Sequence, residues 1–257
     1  MHVVVIHRWQ EETTELVQAL AVTLRITAYE TRQRMIGGGP AVVASFADPQ
    51  QARTLSAKLN QNGVATLIID ADAVRNKAGR FVVRRFELKE WALRIEAVDG
   101  QCAEIAYGDI DLLIPGTRIL GQSETITVTE RKFSLGRTIL SGGIPLTKKV
   151  ERLEEVNKEE RENVLYLYAG ERPPVVFSQS GMVYDGLGTA MKMSRELNFA
   201  YLTSELRRLC PAAGYDDRLL KRLGQVRLLG PAQNPETNLD LAFEILARSL
   251  RRGRITG

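Results

Sequence analysis

The chain changes texture at Asn76-Lys77-Ala78-Gly79, and this change constrains the fold more than any other feature. Before it, short β-branched runs alternate with capped, helix-length amphipathic segments. After it, strand-length runs follow one another, separated by turn residues, until one helix-length pattern closes the series. Interleaved strands and helices followed by a block of strands describe an α+β chain. Its 257 residues suffice for one large domain or two small ones.

In residues 1–77, Val3-Val4-Val5-Ile6 reads as a buried strand. A helix follows over 11–24, with Leu16, Val17, Leu20 and Leu24 on one face. Thr27 and Glu30 have capping-box spacing and open a second helix ending near Met35 or Ile36. Gly37-Gly38-Gly39-Pro40 breaks it before the strand 41–46. Asp48 then caps a helix with Pro49 at its first position and Gln51 as the capping partner. That helix carries Ala52, Leu55 and Leu59, ends at Gly63, and leads into a strand over 64–69. The triple glycine lies between a helix and a strand, the reverse of the order in a dinucleotide loop, and no Lys-Ser/Thr follows it. It therefore reads as a connector.

This β-α-α-β-α-β order resembles the C-terminal domain of the bacterial ribosomal stalk protein, a fold shared with the adaptor that delivers N-degron substrates to the Clp protease. The likeness rests on Ile26-Thr27-Ala28-Tyr29-Glu30, on Gly39-Pro40-Ala41-Val42-Val43-Ala44, and on Asp48-Pro49-Gln50-Gln51-Ala52 through Leu59 and Gly63. It implies a fold and a bias toward protein–protein contact. The lysine-rich factor-binding surface of the stalk domain has no counterpart among Arg25, Arg32, Arg34 and Arg53.

Residues 80–209 read as a β-rich domain interrupted by an inserted loop, 121–162. Strands are expected over 81–88, 92–97 and 102–107, with the best hairpin turn of the chain at Val98-Asp99-Gly100-Gln101. Another, over 109–114, is expected to close at Pro115-Gly116, and two more follow over 164–168 and 174–177. A helix over 191–209 completes the block. Short antiparallel strands closed by one helix resemble a pleckstrin-homology-like barrel. The local basis is Leu93-Arg94-Ile95, Tyr107-Gly108-Asp109-Ile110-Asp111-Leu112-Leu113, and Asn198-Phe199. That resemblance implies binding of phosphoinositides, peptides or partner domains, although the basic lipid-head signature is missing.

Residues 210–257 form a helical basic tail. From Tyr201 onward ten basic residues face six acidic ones, so the net charge of +4 resides there. Asp216 is expected to cap a short helix through Leu223. A last helix, from Thr237 or Asn238, places Leu239, Ala242, Phe243, Leu246 and Leu250 on one stripe.

The inserted loop carries the candidate binding residues Arg131, Lys132, Phe133, Arg137, Lys148 and Lys149. Their mixture of basic and apolar side chains in loop-like sequence suits an acidic partner, a membrane surface or a phosphorylated ligand; the alternative is that the apolar residues pack back onto the barrel. The charge-dense run 151–162 reads as a solvated helix or linker.

No constellation of nucleophile, base and oxyanion donor is visible, so catalysis is not expected. His2 and His7 stand outside any motif. Asp109 and Asp111 would share a strand face but lack a third ligand for a cation. Cys102 and Cys210 are far apart and belong to no metal spacing, so neither metal nor cofactor is expected. No run of about 20 apolar residues and no signal-like start is found, which points to the cytoplasm. The reading is a non-catalytic adaptor or regulator with a protein partner. The alternative is a nucleic-acid-associated factor using the basic C-terminal third. The oligomeric state is not legible.

Overall fold

The computed structural model describes residues 1–9, 12–36, 39–76, 79–133 and 147–255, with side chains outside 121–160 and 253–255. The first segment has the expected β-α-α-β-α-β order: β1 (His2–Ile6), α1 (Thr14–Leu24), α2 (Ala28–Met35), β2 (Ala41–Phe46), α3 (Pro49–Gln61) and β3 (Thr66–Asp70), followed by the short α4 (Ala71–Arg75). The three strands pair antiparallel in the order β2-β1-β3. Local chemistry sets the helix ends. Thr13 caps α1 by accepting from Leu16 N at 3.2 Å. Thr27 and Glu30 form the complete capping box, with bonds of 3.1 and 2.8 Å. Asp48 caps α3 through Gln50 N at 2.8 Å; the expected partner Gln51 takes no part. Gly63, at φ 78°, ends α3 in the left-handed conformation that glycine adopts without strain.

The second sheet contains β4 (Phe81–Leu88), β5 (Ala92–Ala97), β6 (Cys102–Ala106), β7 (Ile110–Phe133), β8 (Thr147–Ala169), β9 (Val175–Ser178) and β10 (Gly214–Tyr215). Their order is β10-β7-β8-β9-β4-β5-β6, so β10 and β6 are edges and the sheet is open. This replaces the closed barrel expected from sequence. Two parallel pairings, β10 with β7 and β9 with β4, insert distant segments where a meander would have curled round. The hairpin at 98–101 forms as expected, with Ala97 N donating to Gln101 O at 2.8 Å. Pro115-Gly116 is not a strand end. β7 runs through it, and a Cβ on Gly116 would sit 2.5 Å from the Phe243 ring, so this glycine admits a close-packed neighbour. After the sheet come α5 (Arg195–Leu209), capped by Ser194, then α6 (Arg222–Leu229) and α7 (Pro235–Ile255).

The chain groups into one compact unit of residues 1–118 with 162–257 and another of 119–161. Within the latter, the run 151–161 belongs to strand β8, not to a helix or linker. Its neighbour β7 carries Thr125-Ile126-Thr127-Val128-Thr129, and pairing with a β-branched strand outweighs the helical preference of Glu and Lys.

In the larger unit, apolar side chains gather in three cores. Val4, Ile6, Val17, Leu20 and Leu59 fill the space between the small sheet and α1–α3. Val3, Val5, Leu67, Ile69, Leu112, Ile114, Tyr166, Phe243 and Leu246 form the central core, where segments 1–77, 80–209 and 210–257 meet. Leu93, Ile95, Leu165, Leu167, Phe177, Phe199, Leu202 and Leu206 join the far face of the large sheet to α5. β1 is thus covered on both faces, which explains its unbroken apolar run. α7 lies between two sheets, so Leu241 and Ile245 are buried along with Leu239, Ala242, Phe243 and Leu246 of the stripe expected from sequence, while Leu250 is partly buried. No helix among the described residues is long and apolar enough to cross a membrane.

His7, just after β1, is buried, and its Nδ1 has no hydrogen-bond partner among the described residues. Burial lowers its pKa from the usual 6.5, Arg8 and Arg252 lower it further, and the Thr66 backbone opposes them. The folded chain therefore keeps His7 neutral where the unfolded chain takes up a proton. Its contribution is complete above the unfolded pKa of about 6.5 and declines as pH falls toward the lower folded value. Melting temperatures measured from about pH 8 to 5 should fall more steeply for the wild type than for His7→Leu. Equal slopes would contradict this assignment.

Candidate functional site

The sequence-derived binding residues divide between two strands. Arg131, Lys132 and Phe133 end β7, and Lys148 and Lys149 lie near the start of β8, where sequence suggested loop. The side chains of these five, and Arg137 entirely, lie outside the described residues. Asp109 and Asp111 do not form a paired face. Asp109 lies in a single 3-10 turn, whereas Asp111 accepts from Gly170 N at 2.9 Å and Arg251 at 3.1 Å. Among the described residues no group of three His, Cys, Asp or Glu side chains could hold a metal. Cys210 is buried, which pushes its thiol up to about 11, and Cys102 is exposed; both are free thiols.

The most distinctive surface is assembled from α2, β2 and α6. Gln225 is buried, and its amide donates to Thr117 O at 2.8 Å and Leu219 O at 2.7 Å. With Leu228 and Leu229 it fixes the inward face of α6. The opposite side then presents Leu223 and Val226, 58% and 41% exposed, with Leu220 at 38% in the turn before the helix. Leu223 and Val226, three residues apart, share the exposed side of α6, and Leu220 adds exposed apolar area in the turn before it.

Beside this patch runs a groove of about 360 Å³. Val42, Val226, Gly230 and Pro231 make it apolar, and Glu30, Arg34 and Arg227 border it. A recess of about 110 Å³ shares Arg34 and Arg227 and adds Trp9, Ile36 and Pro40. Its walls are tightly specified. Arg34 donates to Val43 O at 2.6 Å, and Arg218 binds both the Asp216 carboxylate and Gly39 O. A Cβ on Gly39 would lie 2.5 Å from the Trp9 ring, so glycine lets the indole lie against the chain. A Cβ on Gly224 would sit 2.0 Å from Arg218 O, which ties α6 closely to the preceding turn.

That turn is where sequence placed a helix start. Asp216 instead accepts from Arg218 N and its guanidinium, and α6 begins only at Arg222.

The electrostatics favour an anionic occupant. Glu30 is already committed: Thr27 N and Thr27 Oγ1 donate to its carboxylate and, with Arg34, hold it below the usual carboxylate range. Arg227 enters no ion pair among the described residues, and Arg34 donates to Val43 O while its charge also acts on Glu30, so two arginines against one glutamate leave the rim one net positive charge. Sequence reasoning missed this site because Gly39 and Arg218, which close it, stand 179 positions apart. The usable local signal was the three-residue spacing of Leu220, Leu223 and Val226. No known family model, curated protein or solved structure matches the chain.

Proposed function

We propose that this protein is a non-catalytic adaptor that docks an acidic, amphipathic segment of a partner protein in the α2–β2–α6 groove. The exposed Leu220, Leu223 and Val226 carry the reading: they offer apolar area to water beside a groove lined by Val42, Val226 and Pro231, where burial would be favourable. Arg34 and Arg227 select the sign of the occupant. The β-α-α-β-α-β order of the first segment fits the resemblance to the stalk-protein and Clp-adaptor fold, whose bias is toward protein contact. Two free thiols suit a reducing compartment such as the cytoplasm.

An array of amphipathic peptides with matched leucines and acidic, neutral or basic polar faces tests this directly. The wild type should retain the acidic set. Arg34→Glu with Arg227→Glu should transfer preference to the basic set, because both rim charges reverse while the apolar face is kept. Retention that ignores peptide charge, or is unchanged in the double variant, would remove the groove from consideration.

A further inference from the structure

The small sheet ends on one side at β3, and no strand among the described residues pairs with that edge. The register of β3 with β1 runs from His2 opposite Asp70 to Ile6 opposite Thr66. His7 N extends it by donating to Ala65 O at 3.0 Å, and Ala71 N by donating to Met1 O at 2.8 Å. Main-chain groups alternate in direction along an antiparallel strand. Ala65, Leu67, Ile69 and Ala71 therefore bond β1, whereas Thr66, Ile68 and Asp70 turn their groups outward. Among the described residues nothing bonds the outward N–H or C=O of Ile68.

The other edges are protected. Arg34 donates to Val43 O on β2 at 2.6 Å, and Arg172 donates to Glu104 O on β6 at 3.1 Å. β10 is only two residues long. Covering side chains and short edge strands both keep a sheet from adding a strand. β3 has neither. Its Thr66-Leu67-Ile68-Ile69 run is uncharged, rich in β-branched residues and free of proline, which favours pairing.

This edge opens onto a cleft of about 470 Å³ whose lining includes Ile68, Asp70, Val74, Pro174, Glu244 and Arg248. The charges there are matched in pairs. Arg248 meets Glu244 at 2.6 Å, Arg80 meets Asp240 at 2.7 Å, and Asp70 lies 3.9 Å from the amino terminus. The cleft thus favours neither sign, unlike the rim of the α2–β2–α6 groove.

We propose that β3 accepts an extended, uncharged, β-branched segment of a partner protein as a fourth, antiparallel strand. Main-chain bonds to Ile68 supply the attachment. Residues on either side of the one facing Ile68 would point to the side of Leu67 and Ile69, where Val74 packs on the same core. A single strand suits the place better than a second copy of the chain. Edge-to-edge contact along five residues would bury far less than the roughly 1,000 Å² that a stable dimer needs.

Amide hydrogen exchange on the full chain tests this, with the acetylated and amidated peptide Ser-Thr-Val-Thr-Val-Thr-Ser as the probe. The Leu67 and Ile69 amides should be protected with or without it. The Ile68 amide should exchange rapidly alone and slow at least about ten-fold at saturating probe. Two N-methylated probes, with methyl groups on alternate residues in opposite phase, should differ: one loses binding and the other keeps it, because only one set of N–H groups faces β3. Ile68→Pro deletes the outward N–H without removing a bond to β1, and should weaken the probe at least about ten-fold. Arg227→Glu, in the groove, should leave its affinity unchanged. No binding of the probe, equal binding of the two N-methylated forms, or unchanged Ile68 exchange at saturation would overturn the proposal. So would an Ile68 amide that becomes protected as the free chain is concentrated, which assigns the edge to a second copy.

Discussion

Asp240→Ala is expected to destabilise the protein by about 3–5 kcal/mol, because it strands charge in the interior. Asp240 sits on α7 and receives Arg80 at 2.7 Å, the Tyr166 hydroxyl at 2.6 Å and Arg118 at 3.4 Å. Burial alone would raise its pKa, but the Tyr166 hydrogen bond and the Arg80 and Arg118 charges outweigh it and hold the carboxyl below the usual range. The Arg80 side chain is only 11% exposed, and without Asp240 it would retain the Val74 carbonyl at 2.6 Å and no ion-pair partner among the described residues. Tyr166, stacked on Phe243 with ring centroids 3.9 Å apart, would lose its hydroxyl's acceptor at the same time. Chemical denaturation measures the loss. At about 2–4 °C per kcal/mol for a chain of this size, the melting temperature should fall by roughly 10 °C. Adding Arg80→Leu to Asp240→Ala should recover part of the deficit, since the double variant buries no unpaired charge. A loss below about 1 kcal/mol would mean that water, not the carboxylate, satisfies Arg80.

Gly186→Ala is expected to cost about 3 kcal/mol by forcing backbone apart. Gly186 lies in the 3-10 segment Asp185–Ala190, which packs on β4. A Cβ there would lie 1.8 Å from the Phe86 carbonyl oxygen and 2.8 Å from its carbon, and neither atom can swing away as a side chain can. The displaced segment carries Leu187, and Tyr184 beside it meets Phe86 edge-on at 6.2 Å, so the shift would open the far core. Gly188 provides the contrast. It has φ 53° and ψ −126° and open space around its Cβ position, so Gly188→Ala meets no steric clash and costs only the strain of a backbone region favoured by glycine, about 1–3 kcal/mol. Denaturation midpoints should rank Gly186→Ala below Gly188→Ala, and the reverse order would show that the segment moves freely off β4.

The parts of this fold that were legible in sequence are those whose cause is local. The capping box at Thr27 and Glu30, the Asp48-Pro49 helix start, the left-handed stop at Gly63 and the turn at Gly100 each depend on neighbouring residues, and each formed. Features decided by distant partners were misread. Pro115-Gly116 has the composition of a turn, yet it continues a strand because Phe243 packs against its glycine. The parallel pairing of Gly214-Tyr215 with β7 has no signature in a two-residue strand. The run 151–161 has the composition of a solvated helix but is a strand because β7 lies beside it. α7 shows one apolar stripe by periodicity but is buried on more sides, because the small sheet and the large sheet both reach it. The groove follows the same logic: α2, β2 and α6 each look ordinary, and only packing brings Trp9, Arg34, Val226 and Arg227 together.

Trp9 makes the docking claim directly measurable. It lines the recess, while the only other tryptophan, Trp91, is 76% exposed on the surface. In a Trp91→Phe background the fluorescence of Trp9 can be followed as a leucine- and glutamate-containing amphipathic peptide is added. The groove account predicts a saturable emission change whose dissociation constant rises at least about ten-fold with Val226→Glu or Arg227→Glu, both surface changes that should leave the melting temperature nearly unaltered. An unresponsive Trp9 at saturating peptide, or identical titrations in the parent and both variants, would contradict it.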